Sequence, residues 1–197
     1  MTDPGLNGTA AGTAAPHKEG ETSLGRWLLE TALLVLLAFA IAFGVRTFIV
    51  EPFIVPTGSM IPTIQIGNRV LAEKITYRFI RPPRYGDIVV FPDPKGEHPH
   101  LIKRVIAVEG QTVDLRNGKV FVNGQELVEP YVHGLPSVPL SDEYKFPLTV
   151  PPGDLWVMGD NRTNSGDSRV FGPIKVTAAQ GHGVWTYWPL SAFGKLQ

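Results

Sequence analysis

The sequence predicts a mainly β fold: a coiled antiparallel β-sheet domain preceded by one N-terminal transmembrane helix. Three observations carry that expectation. Short β-branched runs such as RVLAEKI, DIVVF, IKRVIAV and KVFV recur along the chain, each of strand length. Asn117-Gly118 and Asn123-Gly124 are two-residue hairpin signals, because that pair accepts the positive φ of the tight turn. One long apolar stretch stands ahead of all of them.

Residues 1–25 are rich in Gly, Ala and Thr and lack apolar periodicity, so a disordered tail is expected there. Residues 26–50 are expected to form the membrane anchor. They contain WLLETALLVLLAFAIAFGVRTFIV, with Glu30 and Arg46 near its ends. About 20 apolar residues at ~1.5 Å each cross a hydrocarbon layer of about 30 Å, and terminal charges reach the headgroups. A cleaved secretory signal would have an apolar region of only about 7–15 residues with small residues after it. Here Ala40-Ile41-Ala42 lies inside the run, and Phe48, Glu51 and Phe53 follow it. A buried core helix is the other reading, but an all-round apolar face of this length is unusual in a soluble domain. Lys18 before the span and Arg26 at its start, and Arg46 near its end with more basic residues following, leave the orientation open.

Residues 51–197 are expected to be the β domain and to hold enough chain for a core of their own. The 18 prolines and 21 glycines suit strands with many bends. Residues 127–152, heavy in Pro, Ser and charge, read as a surface excursion, and after Pro173 there is room for a short helical turn. A formal charge of +0 offers no field for nucleic acid, and the absence of cysteine removes disulfides and thiolate catalysis. Arg78, Arg81 and Arg84 sit in a turn-rich interval, as a solvated or headgroup-facing loop would.

Two side chains stand out against this background. Ser59, in PTGSMIPT, follows a glycine in a turn, where a serine ordinarily bonds nearby backbone. Its apolar neighbours Met60, Ile61 and Ile64 and the access that Gly58 gives to the backbone also suit a nucleophile. Lys103 lies in LIKRVIAV, whose alternation sends Leu101, Lys103, Val105 and Ala107 to one face and Ile102, Arg104, Ile106 and Val108 to the other. An edge strand whose cations reach water is the plain alternative. For the amine to act as a base, burial has to lower its pKa from about 10.4. A carboxylate bonded to it would undo that. Asp160 and Asp167 in GDNRTNSGDSR are therefore expected to pair with Arg104, Arg162 or Arg169, while Ser165 can orient a neutral amine without charging it. Thr57 is placed to join the Ser59 N–H as an oxyanion donor.

PTGSMIPT, LIKRVIAVEG and GDNRTNSGDSR, in that order behind an apolar span, closely resemble the three signature regions of bacterial type I signal peptidases. The resemblance implies that Ser59 is the acylating nucleophile and Lys103 the general base. It implies that Ser165 positions the lysine, with Asp167 and Arg169 in support, and that Thr57 occupies the side-chain oxyanion position. It also implies cleavage of signal peptides from exported preproteins after an Ala-x-Ala pattern at the plasma (inner) membrane, with residues 51–197 on the extracytoplasmic side, so the partners are signal peptides and the lipid bilayer. Phe53, Val55, Met60, Ile64, Val90 and Ile102 are the candidate pocket residues, although most would be core in any case. An extended substrate is expected along Phe53–Pro56 and His100–Ile102. Some relatives have two spans and a sizeable inserted subdomain; this chain has one span and a short excursion. His98 and His100 lack a third ligand, and no phosphate loop or dinucleotide fingerprint occurs, so no metal and no cofactor is expected. Two further readings stay open: a self-cleaving Ser/Lys regulatory protease, and a non-enzymatic membrane-anchored β domain that binds peptides.

Overall fold

The structure, a computed structural model, describes residues 24–196. Of the expected tail, residues 1–23 lie outside the described residues. A 25-residue helix, α1 (Leu24–Phe48), is long and apolar enough to cross a membrane and buries none of its side chains. The part up to Ile41 is a compact unit of its own, distinct from the unit that begins at Ala42.

The second unit is mainly β. Its strands are β1 (Val50–Ile54), β2 (Arg69–Glu73), β3 (Ile88–Phe91), β4 (Leu101–Val108), β5 (Thr112–Arg116), β6 (Lys119–Val122), β7 (Gln125–Glu126), β8 (Leu148–Thr149), β9 (Asp154–Met158), β10 (Ile174–Lys175), β11 (Gly181–Trp188) and β12 (Gly194–Lys195). The large antiparallel sheet runs β1-β2-β11-β3-β4-β9-β10, with β12 beside β11, and a small one runs β7-β6-β5-β8. Both hairpin signals fold as expected. Arg116 faces Lys119 across Asn117-Gly118, and Val122 faces Gln125 across Asn123-Gly124. Both asparagines have φ of 52°, and the glycines 76° and 80°.

Three apolar clusters divide the core. Phe53, Val55, Met60, Ile64, Val90 and Ile102 belong to the first, with Val70, Ala72 and Ile88. Ile106, Ala107, Trp156 and Met158 pack with the small sheet, while Val89, Phe91, Val105, Leu155 and Val157 form a third group. Ala107 thus leaves the face that strict alternation assigned to it. Val105 pairs with Val157 and Ala107 with Trp156, so Ile106 is an extra residue in the ladder, and such a bulge resets the alternation behind it.

Helical turns also interrupt the expected β texture. A wide turn covers Thr76–Ile80, and α2 (Ser168–Phe171) is capped by the Asp167 carboxylate, which accepts from the Arg169 N–H. The stretch 127–152 is irregular for most of its length, yet it buries Val132, Ser137 and Val150. Trp185 and Trp188 are 40% and 50% exposed.

Candidate active site

Ser59 sits in a turn after β1 that is closed by Ile61 N–H to Gly58 O and Ile64 N–H to Met60 O. Gly58 supplies backbone freedom, and Met60 and Ile64 anchor the far side of the turn in the core. Lys103 projects from β4, opposite Val89 of β3, and is buried. The two meet. Lys103 Nζ lies 2.7 Å from Ser59 Oγ and donates at 3.2 Å to Ile102 O, with Lys103 1% and Ser59 8% exposed. Thr57 Oγ1 stands 3.4 Å from Ser59 Oγ.

Burial pushes the Lys103 amine down to about 8, against the opposing pull of Asp167, Asp93 and Asp160. Among the described residues no carboxylate bonds to Nζ, and each nearby acid has other partners: Asp93 takes the backbone N–H groups of Lys95, Glu97 and His98. Asp160 holds Arg104 through two bonds of 2.8 and 2.7 Å and accepts from the Thr63 hydroxyl. Asp167 holds Arg169 at 2.9 and 2.8 Å and takes the Gly159 N–H at 3.0 Å. Arg162, the third candidate partner, turns away to Glu129 at 2.9 and 2.6 Å and to Ser137 Oγ at 2.6 Å. Paired in this way, buried charges satisfy one another and leave the amine to be governed by dryness.

Ser165 is buried close by, since a Cβ built on Gly159 would touch both Ser165 Oγ and the Ser59 carbonyl oxygen. Its hydroxyl has no hydrogen-bond partner among the described residues. It does not bond the amine; the Ile102 carbonyl does.

A cavity of about 400 Å³ opens beside Ser59, lined by residues 51–57 of the β1 side and 98–102 of the β4 side. Phe53, Val55, Met60 and Ile102 line it, while Ile64 and Val90 lie behind, fully buried. Ile54, Pro56 and Leu101 complete the apolar wall, and His100 stacks edge-to-face on Phe53 at 5.2 Å. A second cavity of about 270 Å³ lies against Ser59 and Lys103 among Asp93, Lys95, Glu97 and Asn164. Among the described residues, no group of three His, Asp or Glu side chains could hold a metal ion.

Several site residues escape sequence reasoning. Asn161 donates from Nδ2 to Gly58 O and from its backbone to Ser59 O, both at 3.0 Å. Glu129 and Ser137, inside the stretch that reads as a surface excursion, hold Arg162, whose Nε donates to Gly159 O at 3.0 Å. Tyr131 lies under the Arg104 guanidinium, 4.0 Å from ring centre to carbon. These residues touch the site across 25 to 103 positions of sequence, so no local pattern marks them.

Residues 28–188 match the family model described as "Signal peptidase, peptidase S26". A probable signal peptidase I-1 of Synechocystis sp. is 39% identical, the alignment covering 87% of this chain and 88% of that protein. A signal peptidase I of Leptolyngbya laminosa is 38% identical over 86% of this chain and 84% of its own. A crystal structure of a signal peptidase I from Enterococcus faecalis, 32% identical, matches with a TM-score of 0.43 over 52% of this chain and 97% of that one.

Proposed function

The chain belongs to the signal peptidase family, and on that premise we propose that it is a membrane-anchored serine endopeptidase that removes signal peptides from exported preproteins after small residues in an Ala-x-Ala pattern. The anchor is residues 26–50, in a single pass of the plasma (inner) membrane. Residues 51–197 are the catalytic domain on its extracytoplasmic side, where bilayer-held substrates are met.

Ser59 Oγ attacks the scissile carbonyl carbon while Lys103 Nζ takes the hydroxyl proton. The carbonyl electron pair moves onto oxygen, facing the Ser59 N–H and the Thr57 hydroxyl. Collapse re-forms the carbonyl and expels the new amino terminus, which takes the proton from Nζ. Water then adds to the acyl-serine, gives its proton to Nζ, and the second collapse returns that proton to Oγ. While Nζ is charged it has one more N–H to place, and we assign that hydrogen to the idle Ser165 hydroxyl. Arg169 and Arg104 hold Asp167 and Asp160 in fixed pairs. Phe53, Val55, Met60 and Ile102 form the shallow apolar wall for small side chains, with Ile64 and Val90 packed behind it.

The observation that carries this reading is the 2.7 Å approach of a buried amine, its pKa lowered to about 8, to the serine hydroxyl. Substituting Ser59→Ala and, separately, Lys103→Ala tests it. Preprotein cleavage in detergent should vanish in both, and its survival in both would end the enzymatic reading.

A further inference from the structure

We propose that Asn161 is a positioning residue for the oxyanion site: its side-chain amide holds the Gly58 carbonyl and so fixes the direction of the Ser59 N–H. The inference rests on the reading of Ser59 as nucleophile and goes beyond it by naming the group that aims the backbone donor.

The geometry is that of a single peptide unit. Gly58 C=O and Ser59 N–H share one planar trans peptide and therefore point in opposite directions. Asn161 Nδ2 grips the carbonyl at 3.0 Å, beside the turn's own Ile61 N–H at 3.2 Å, and the Asn161 backbone N–H holds the next carbonyl, Ser59 O, at 3.0 Å. Two consecutive carbonyls around the nucleophile are thus tied to one residue. Ser59 N–H itself donates to no group among the described residues, which leaves it available to an incoming oxyanion. The residue before the nucleophile is glycine, whose backbone has the widest freedom to rotate, so an external tether matters more there than elsewhere. Asn161 is itself held in orientation. Its Oδ1 accepts from the Thr163 hydroxyl at 3.4 Å, which turns the N–H₂ end toward Gly58. On one side of it Asp160 is fixed by Arg104, and on the other Arg162 is fixed by Glu129.

Asn161→Ala and Asn161→Leu, the second filling the volume without an N–H, test the assignment in the full chain in detergent, beside the parent and Ser59→Ala. An oxyanion donor removed outright costs about 10²–10³ in kcat, so one left in place but loosened should cost about 10- to 100-fold, with KM within about threefold. The rising limb of the pH profile should not move, because the base is untouched. A signal-peptide aldehyde adds a second readout: Ser59 Oγ bonds to its carbonyl carbon, the hydroxyl proton passes to Lys103, and the carbonyl pair becomes the oxyanion. Its affinity should fall with kcat, while affinity for the cleaved signal peptide stays. Unchanged kcat in folded variants would overturn the proposal. So would equal losses for aldehyde and product, or loss of the fold in both variants, since either makes Asn161 a structural residue. If Ser59→Ala still cleaves, the nucleophile reading itself fails, whatever Asn161 does.

Discussion

Gly159→Ala is the substitution to which the proposed site should be most sensitive. A Cβ on Gly159 would lie 2.2 Å from Ser165 Oγ, 2.7 Å from Ser165 Cβ and 2.4 Å from the Ser59 carbonyl oxygen. The glycine cannot retreat, because Asp167 takes its N–H and Arg162 its carbonyl, both from buried charged groups. The serine backbone has to give way instead. Restoring even a tight 3.0 Å contact moves Ser59 O by about 0.6 Å, and a misplacement of about 1 Å can cost 10²-fold in rate. Forcing a methyl into a filled site costs about 1–3 kcal/mol of stability. Chemical denaturation and preprotein cleavage in detergent should therefore both report the change, with kcat falling about 100-fold. Adding Ser165→Gly removes two of the three clashes and leaves the one with Ser59 O. The double variant should recover stability more than turnover. A Gly159→Ala protein with parental kcat and stability would refute the reasoning.

The remaining predictions concern the charges. kcat/KM should rise with pH along a limb centred near 8, because the uncharged amine is the active form, and Lys103→Arg should be inactive throughout; a limb near 10.5 would contradict burial as the cause. The unfolded chain keeps the Lys103 proton up to about 10.5 and the folded chain only to about 8, so folding is penalised below 8 and parental stability rises between those values. Lys103→Met should accordingly be more stable than the parent at pH 7, by on the order of 3 kcal/mol, with the gap closing toward pH 10.5; urea titrations across that range measure it. Asp160→Ala strands the buried Arg104 cation and Arg104→Met strands the buried Asp160 carboxylate, so each should destabilise by about 3–5 kcal/mol, and the double variant should cost clearly less than the sum; additive losses in urea titrations would argue against the pair.

What could be read from the sequence was local. Asn117-Gly118 and Asn123-Gly124 declare their turns because few other residues accept positive φ there. Ser59 and Lys103 stand out because a glycine turn and an apolar strand make a hydroxyl and an amine conspicuous. The bulge at Ile106 was hidden because both faces of β4 are apolar, so a slip in alternation leaves no trace in composition. Asn161 looked like one more polar residue in GDNRTNSGDSR, since its partner lies 103 positions away. Nor could charge pattern alone say that Arg162 would choose Glu129, from a segment that composition assigned to the surface, over the nearer acids.

One further consequence belongs to the way β4 is shared. β3 accompanies it from Leu101 to Arg104, but β9 joins on the other flank only from Arg104 onward. An extended chain entering alongside Leu101 would zip to the vacant rim and halt where Met158 already occupies it, one residue past the amine. On the proposed reading the rim would be a ruler: hydrogen-bond register, counted from that obstruction, would set which peptide linkage arrives at the hydroxyl, before any side chain has been sorted by size.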